Sequence, residues 1–338
     1  MLSAALALTL AAPKPWTLVA GGDVMFYSIN PKQPALTAIA PTFAKADVAY
    51  VNLEIPLTSA KVTTKRKSAA EQKAKTQFVF KADPKHIADL APLKLDFASL
   101  ANNHFMDYGA EGMAECKALL QKQNIAFNGG GENRADAERV AVRTLPNGLK
   151  VGMVSYLAFM GSGALWKCSP ATDKTPGIAV LDLGGTINDK AKARLKNIVL
   201  RAKKECDFLI VALHWGIEKT NKPTSYQISL GRGFIDAGAD LILGAHPHRL
   251  QGREIYKRKP ILYSMGNLIS PLPAASAIYS LTFDGPTFKS WSLRPMRNQG
   301  GKALWYPAKQ EPAVRKEIEA LDKLIPKPPV ARASRPRT

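Results

Sequence analysis

Short apolar runs in this chain repeatedly stop at a residue that ligates metal or moves protons, and that repetition limits the fold more than any other feature. Residues 17–21 lead through Gly22 to Asp23, and Val48–Leu53 leads to Glu54. Residues 97–100 run into Ala101-Asn102-Asn103-His104, 208–213 stop at His214, and 241–243 lead through Gly244-Ala245 to His246. Runs of this length, bounded by turn residues, read as buried strands. Helical stretches separate them at 34–44, 84–90, 111–123, 188–204 and 226–237, the last closed by Gly238. Strand and helix alternate over most of the chain, which predicts an α/β fold.

Further strands are expected at 140–144, 151–156 and 261–264, around Phe283, and at 288–293, so the C-terminal third is richer in β-structure. A terminal helix is expected at 312–324, followed by a Pro- and Arg-rich tail at 326–338 that has too little apolar content to pack. Residues 157–177 carry Gly, Ser and Pro together with Trp166 and read as a long loop. Long loops in compact domains are often functional. The Lys-rich stretch 61–75 shows no apolar period and reads as a solvated surface loop. The chain has 338 residues and 46% apolar content, enough for one large core or two modest ones. No apolar run reaches the roughly 18 residues that a membrane span needs. Residues 1–12 (MLSAALALTLAA) resemble the apolar core and small-residue cleavage site of a secretory signal peptide, without its usual positive start. An exported protein, periplasmic or associated with the cell envelope, is the expectation.

Cys116, Cys168 and Cys206 are far apart and form no CxxC pair, which argues against a cysteine zinc site. Cys116 and Cys206 read as small buried hydrophobes. The 47 basic and 27 acidic side chains leave a net charge of +20, a field that attracts polyanions. Anionic cell-wall polymer, polyglutamate and anionic headgroups fit that field. No nucleic-acid-binding motif is present, so nucleic acid ranks behind them.

Four of the five histidines, His104, His214, His246 and His248, fall at or just past strand ends, together with Asp23, Glu54 and Asn103. His86 lies in a helical stretch and reads as structural. In α/β sheets, sites form in the crevice outside the carboxyl ends of the strands. Carboxylates, imidazoles and an amide oxygen suit a divalent metal such as manganese, iron or zinc, one ion or two. His246-Pro247-His248 lets two imidazoles reach one cluster from a short turn. A carboxylate can bridge two metals, and a metal pair orients water for in-line displacement at phosphorus. His104, beside the ligand candidate Asn103, is placed to act as a general acid.

Six ordered strings carry a resemblance. They are Gly21-Gly22-Asp23-Val24-Met25, Asn52-Leu53-Glu54, Asn102-Asn103-His104 with Asp107 and Gly109, His214-Trp215-Gly216-Ile217-Glu218, Gly244-Ala245-His246-Pro247-His248, and Tyr263-Ser264-Met265-Gly266-Asn267. Together they resemble the motifs of the CapA family, bacterial proteins linked to capsule and poly-γ-glutamate synthesis and similar in fold to calcineurin-like metallophosphoesterases. The resemblance implies a metallophosphoesterase-type four-layer α-β-β-α sandwich over residues 16–300, with a C-terminal helix and basic tail at 301–338. It implies one metal on Asp23, Glu54 and His248 and a second on Glu54, Asn103, His214 and His246. It also implies His104 as acid and Asp107 as the group that orients its ring. A membrane synthase complex is the implied partner. Phosphoesterases of this type carry Asp-x-His in the first string; here Met25 takes the third position, and a thioether is a poor ligand for a hard cation.

Two functions follow. One is an exported metal-dependent hydrolase of phosphoester or related bonds in capsule or envelope polymer metabolism. The other is a non-catalytic component of a polymer synthesis or export complex that keeps the metal site for structure and holds a polyanion on its basic surface. His104 favours the first; Met25 and the absence of phosphate in polyglutamate favour the second.

Overall fold

Alternation along each central strand sorts its apolar side chains onto two faces. In the strand Trp16–Val24, the side chains of Trp16, Leu18 and Ala20 enter one buried cluster while Val19 and Val24 enter another. In Phe208–Trp215, Phe208, Ile210 and Ala212 join the same cluster as Trp16, and Leu209, Val211 and Leu213 enter a third. The shared cluster is therefore the seam between two sheets. Each remaining cluster lies between one sheet and its outer helices. Met113, Cys116 and Leu120 of the helix Gly109–Lys122 cover the first sheet. Leu195 and Val199 of Asp189–Ala202, with Leu230 and Phe234 of Ser225–Ala237, cover the second. Helix, sheet, sheet, helix make a four-layer α/β sandwich.

The computed structural model describes residues 15–159 and 166–328. The expected signal segment, residues 160–165 of the long loop and the end of the basic tail lie outside the described residues. In chain order the strands are β1 (Trp16–Val24), β2 (Val48–Leu53), β3 (Phe97–Ser99), β4 (Ala126–Asn128), β5 (Gly130–Gly131) and β6 (Ala141–Thr144). Then come β7 (Lys150–Ala158), β8 (Gly177–Ile178), β9 (Phe208–Trp215), β10 (Leu241–Ala245) and β11 (Arg253–Tyr256). The last are β12 (Lys259–Leu262), β13 (Asn267–Ile269), β14 (Ala274–Asp284), β15 (Thr287–Gln299) and β16 (Lys302–Trp305). The larger sheet runs β16-β15-β14-β1-β2-β3-β4, with β13 also paired to β1. The smaller runs β11-β12-β10-β9-β7-β6. β1, β2, β3 and β4 are parallel to one another, as are β7, β9, β10 and β12, so each sheet has a rim of carboxyl ends.

One irregularity in β1 sets the site. Between Ala20 and Asp23 the strand advances three residues while β2 advances two, from Tyr50 to Asn52. Without that bulge Asp23 would fall on the face opposite Ala20; the extra residue returns it to the inter-sheet face. Gly22 sits in the bulge with no room for a side chain, because a Cβ there would lie 1.8 Å from the carbonyl oxygen of Gly266. The Asp23 amide donates to that same oxygen at 2.9 Å.

Some expectations shift. The helix expected at 34–44 is confined to Ala40–Ala44, because Pro41 in its first turn favours a helix start there and the preceding residues form hydrogen-bonded turns. The terminal helix covers Glu311–Ala320 and tightens into a 3₁₀ turn at Leu321–Leu324. Short edge strands β4 and β16 carry too few residues to show a period. The Lys-rich stretch is not a plain surface loop: Ser68 and Glu71 form a capping box that starts the helix Ala69–Lys73, and Lys67 just before it is buried. Among the described residues, no helix is long and apolar enough to cross a membrane.

Gly22→Ala should cost about 1–3 kcal/mol of stability, as overpacked sites do. It should also displace Asp23. A urea titration and a metal-binding titration on the same variant check this; an unchanged midpoint with unchanged binding would show that the bulge tolerates a side chain.

Candidate functional site

The carboxyl rims of the two sheets face each other, and that places residues distant in sequence side by side. Strand parity fixes the direction of several. Tyr50 points into the seam, so Asn52 and Glu54 continue on its side; Phe208, Ile210 and Ala212 likewise carry His214. His246 and His248 follow β10 in a strained turn, with φ of 95° and 53°. Left-handed backbone at a non-glycine residue costs on the order of 1–3 kcal/mol and clusters at functional sites. The turn is tied down by the Lys219 amide donating to Pro247 O at 2.8 Å and by the His246 amide donating to Asp23 Oδ2 at 3.2 Å.

Two sets of ligand-type atoms meet at Glu54. On one side lie Asp23 and His248, with His248 Nδ1 3.3 Å from Asp23 Oδ2 and its Nε2 3.6 Å from Glu54 Oε1. On the other, His214 Nε2 is 3.8 Å from Glu54 Oε1, 3.0 Å from His246 Nδ1 and 2.8 Å from Asn103 Oδ1. Within Glu54-His214-His246, and within Asp23-Glu54-His248, the donor atoms all lie inside 4.8 Å of one another. Glu218 makes a third such group with His246 and His248, although its own side chain is exposed. Met25 is absent from the cluster: it is buried in the outer-face core.

Electrostatics decide what this cluster can hold. Glu54 is fully buried, and neither of its oxygens has a hydrogen-bond partner among the described residues. Burial pushes its carboxyl well above the usual range. Burial and the neighbouring imidazoles His246 and His248 hold His214 well below the ordinary imidazole value; burial and His248 do the same to His246. Both rings are thus neutral and offer lone pairs. Burial works against the charged form of His248, but the carboxylates of Glu54 and Asp23 prevail and push it up to about 10. An orphaned buried carboxylate, two neutral imidazoles and an amide oxygen form a donor set that fits a divalent cation. The space between Glu54 and Asp23 calls for positive charge.

His104 stands beside this cluster. Its Nδ1 is 2.7 Å from Asp107 Oδ2, and Asn102 shapes the turn beneath it by accepting the His104 and Phe105 amides at 3.1 and 2.9 Å. A cavity of about 690 Å³ opens over His104, Asn103 and His246, walled by Phe78 and Phe159, with Lys75, Lys167 and Lys219 around it. His86 lies elsewhere, bonded to Asp89 and the Ile29 carbonyl and stacked on Phe26 at 4.5 Å. The three cysteines are buried and form no disulfide.

Sequence reasoning assigned no role to three residues that hold this site. Asn52 donates to Asp23 Oδ1 at 2.8 Å, and Asn267 Oδ1 lies 2.9 Å from His248 Nδ1. Both belong to the ordered strings. The third, Lys67, contacts Asp107, His104 and Asn103. Its only trace in the sequence is the Ser68-x-x-Glu71 capping box, which marks an ordered turn inside an apparently solvated run.

Residues 17–272 match the family model described as bacterial capsule synthesis protein PGA_cap. The chain belongs to that family. This PGA_cap chain is similar to the PGA biosynthesis protein CapA of Bacillus subtilis, with 30% identity over 231 residues, 68% of this chain and 55% of that protein. It is also similar to the capsule biosynthesis protein CapA of Bacillus anthracis, with 33% identity over 171 residues, 51% of this chain and 39% of that protein. The chain thus spans about half or less of the length of these relatives. A crystal structure of a hypothetical protein from Thermus thermophilus shares the fold, with a TM-score of 0.51 and 15% identity, over 84% of this chain and 100% of that one.

His246→Ala should remove most bound manganese or zinc, measured by elemental analysis; wild-type metal content in the variant would refute the ligand assignment. Glu54→Gln should stay close to wild type in stability in chelator, because no hydrogen bond among the described residues is lost, yet gain nothing from added metal, because the carboxylate shared by both ligand groups is gone. Saturating metal at about 100 times Kd contributes about 2.7 kcal/mol to a protein that binds it. Thermal melts with and without metal separate the two. A variant that melts far below wild type in chelator would show that Glu54 serves the fold instead.

Proposed function

We propose that this chain is an exported metal-dependent hydrolase of phosphoester or related bonds in the metabolism of a capsule or poly-γ-glutamate polymer. The observation that carries this reading is Glu54, a buried carboxylate with no hydrogen-bond partner among the described residues that is shared by two groups of ligand-type atoms. Asp23, Glu54 and His248 would hold one cation, and Glu54, Asn103, His214 and His246 the other. Bound there, such cations supply Lewis acidity to a substrate oxygen.

The chain's own residues do the rest. Phe78 and Phe159 wall the cavity, and the lysines around it neutralise an anionic substrate. Burial and the charge of Lys67 hold His104 below the ordinary imidazole value, so its ring is neutral at rest. Its Nδ1 is turned to Asp107, which leaves Nε2 to the substrate. A negative charge arriving in the cavity favours uptake of a proton from solvent at Nε2, and the ring then gives that proton to the leaving group. Asp107 keeps the ring in register throughout.

The second reading, a polymer-handling component without turnover, draws support from Met25. Its side chain lies in the outer core, so the first ligand group lacks an imidazole from that position.

His104→Ala separates the two. As a general acid it should lower turnover about 10²- to 10⁴-fold at unchanged metal content. The comparison is made on phosphomonoesters and phosphodiesters at equal folded fraction. Undiminished turnover would remove His104 from the chemistry. No turnover by wild type on any ester, with manganese or with zinc, would favour the second reading. Under both readings, binding to polyglutamate should weaken as salt rises, because the net charge of +20 acts through a screened field. A salt-independent isotherm would count against the polyanion.

A further inference from the structure

Lys67 is the residue that the ligand and acid assignments leave unexplained. It is 3% exposed, and a lysine so buried requires partners. Its ammonium donates to the Asn103 carbonyl at 2.8 Å and to Asp107 Oδ1 at 2.5 Å, and it lies 3.2 Å from His104 Nδ1. Asp107 is itself 1% exposed, and its other oxygen, Oδ2, faces His104 Nδ1 at 2.7 Å and accepts the Phe80 amide at 2.8 Å. An ionised carboxylate only accepts hydrogen bonds, so the ring nitrogen it faces carries the proton. The short contact to Asp107 therefore makes Nδ1 a donor, and Lys67 cannot bond to it; the protons of ammonium and ring converge on the one carboxylate.

We propose that Lys67 is a positioning residue that locks His104 into the Nδ1–H tautomer and one ring orientation, by holding Asp107 Oδ1 and the Asn103 carbonyl beside the ring nitrogen. Through Asn103 the same ammonium touches the candidate ligand group, because Asn103 Oδ1 lies 2.8 Å from His214 Nε2. One side chain thus sets the spacing between proton donor and ligand cluster. The strap that delivers it is anchored independently. The Thr64 amide donates to Asp107 O at 2.8 Å, Gln72 Nε2 donates to Lys67 O at 2.9 Å, and Glu71 pairs with Lys167 at 2.6 Å. Removing the ammonium therefore leaves the strap tied to the rest of the protein at two points, Thr64 and Glu71, with the Gln72 bond closing a turn inside the strap. The Lys67 side chain also borders the cavity, so the rival role is a direct contact with substrate.

The kinetic part of the test rests on the hydrolase reading; the spectroscopic part does not. Nitrogen-15 NMR of histidine-labelled wild-type protein near neutral pH, with His104→Ala to assign the signal, should show His104 as a single Nδ1–H tautomer. An Nε2–H ring in wild type overturns the proposal, whatever any variant does. In Lys67→Met, Asp107 Oδ1 loses its partner and the His104 signal should move to a mixture of tautomers. Turnover should then fall about 10- to 100-fold, as when other residues that orient a working group are lost, with KM little changed. Lys67→Arg retains the charge and should keep the Nδ1–H form, and it serves as the folded comparison if Lys67→Met is unstable. A wild-type tautomer in Lys67→Met overturns the lock, and a raised KM with that tautomer assigns Lys67 to substrate binding instead. If wild type shows no turnover but the tautomer shifts in Lys67→Met, the hydrolase reading fails while the positioning role stands.

Discussion

A buried carboxylate with no hydrogen-bond donor among the described residues lies where the two sheets meet, and the arrangement around it follows from that constraint. Burying a carboxylate unpaired is costly, and proteins normally surround one with donors. Among the described residues Glu54 has no hydrogen-bond donor on either oxygen, and the His248 ring lies 3.6 Å away. Its neighbours are further acceptors or neutral rings: Asp23, Asn103, His214 and His246. The one charged ring, His248, is held so by the two carboxylates. A cluster of mutually unfavourable acceptors is stable only when a cation or proton is shared among them, which is the physical argument for a metal centre here.

Keeping such a cluster requires a scaffold that does not yield. The seam between the sheets supplies it, packed by Trp16, Leu18, Tyr50, Phe97, Phe208 and Leu241. Each large apolar side chain buried in this way contributes roughly 1.5–3 kcal/mol. Against that background the strained His246-Pro247-His248 turn and the tight bulge at Gly22 are tolerable local costs. Both deviations do the same work: they turn a ligand-type side chain towards Glu54 that regular backbone would have turned away. The Lys67 strap adds a third device on the open side of the site.

Much of this was legible in the amino-acid order, for definite reasons. The central strands are apolar on both faces and each stops at a polar residue, so Asp23, Glu54, His214 and His246 could be placed at strand ends without coordinates. The α/β class followed from the helices between them. What failed was local: the helix at 34–44 shrank because Pro41 sets its start, and edge strands such as Lys302–Trp305 were too short for a period to appear.

The sequence by itself determined which residues lie on a rim, because strand parity and strand ends are local properties that hydrophobic alternation records. It could not determine which rim residues touch. That His214 meets Asn103 and that His248 meets Asp23 depends on two sheets, distant in the chain, closing over one apolar seam. Nor could it show that Lys67, one lysine among many in a polar run, folds inward. A buried ammonium is selected by the carboxylate and the carbonyl that await it. Asp107 and Asn103 lie 40 and 36 residues further along, so only the tertiary structure brings that electrostatic demand to Lys67.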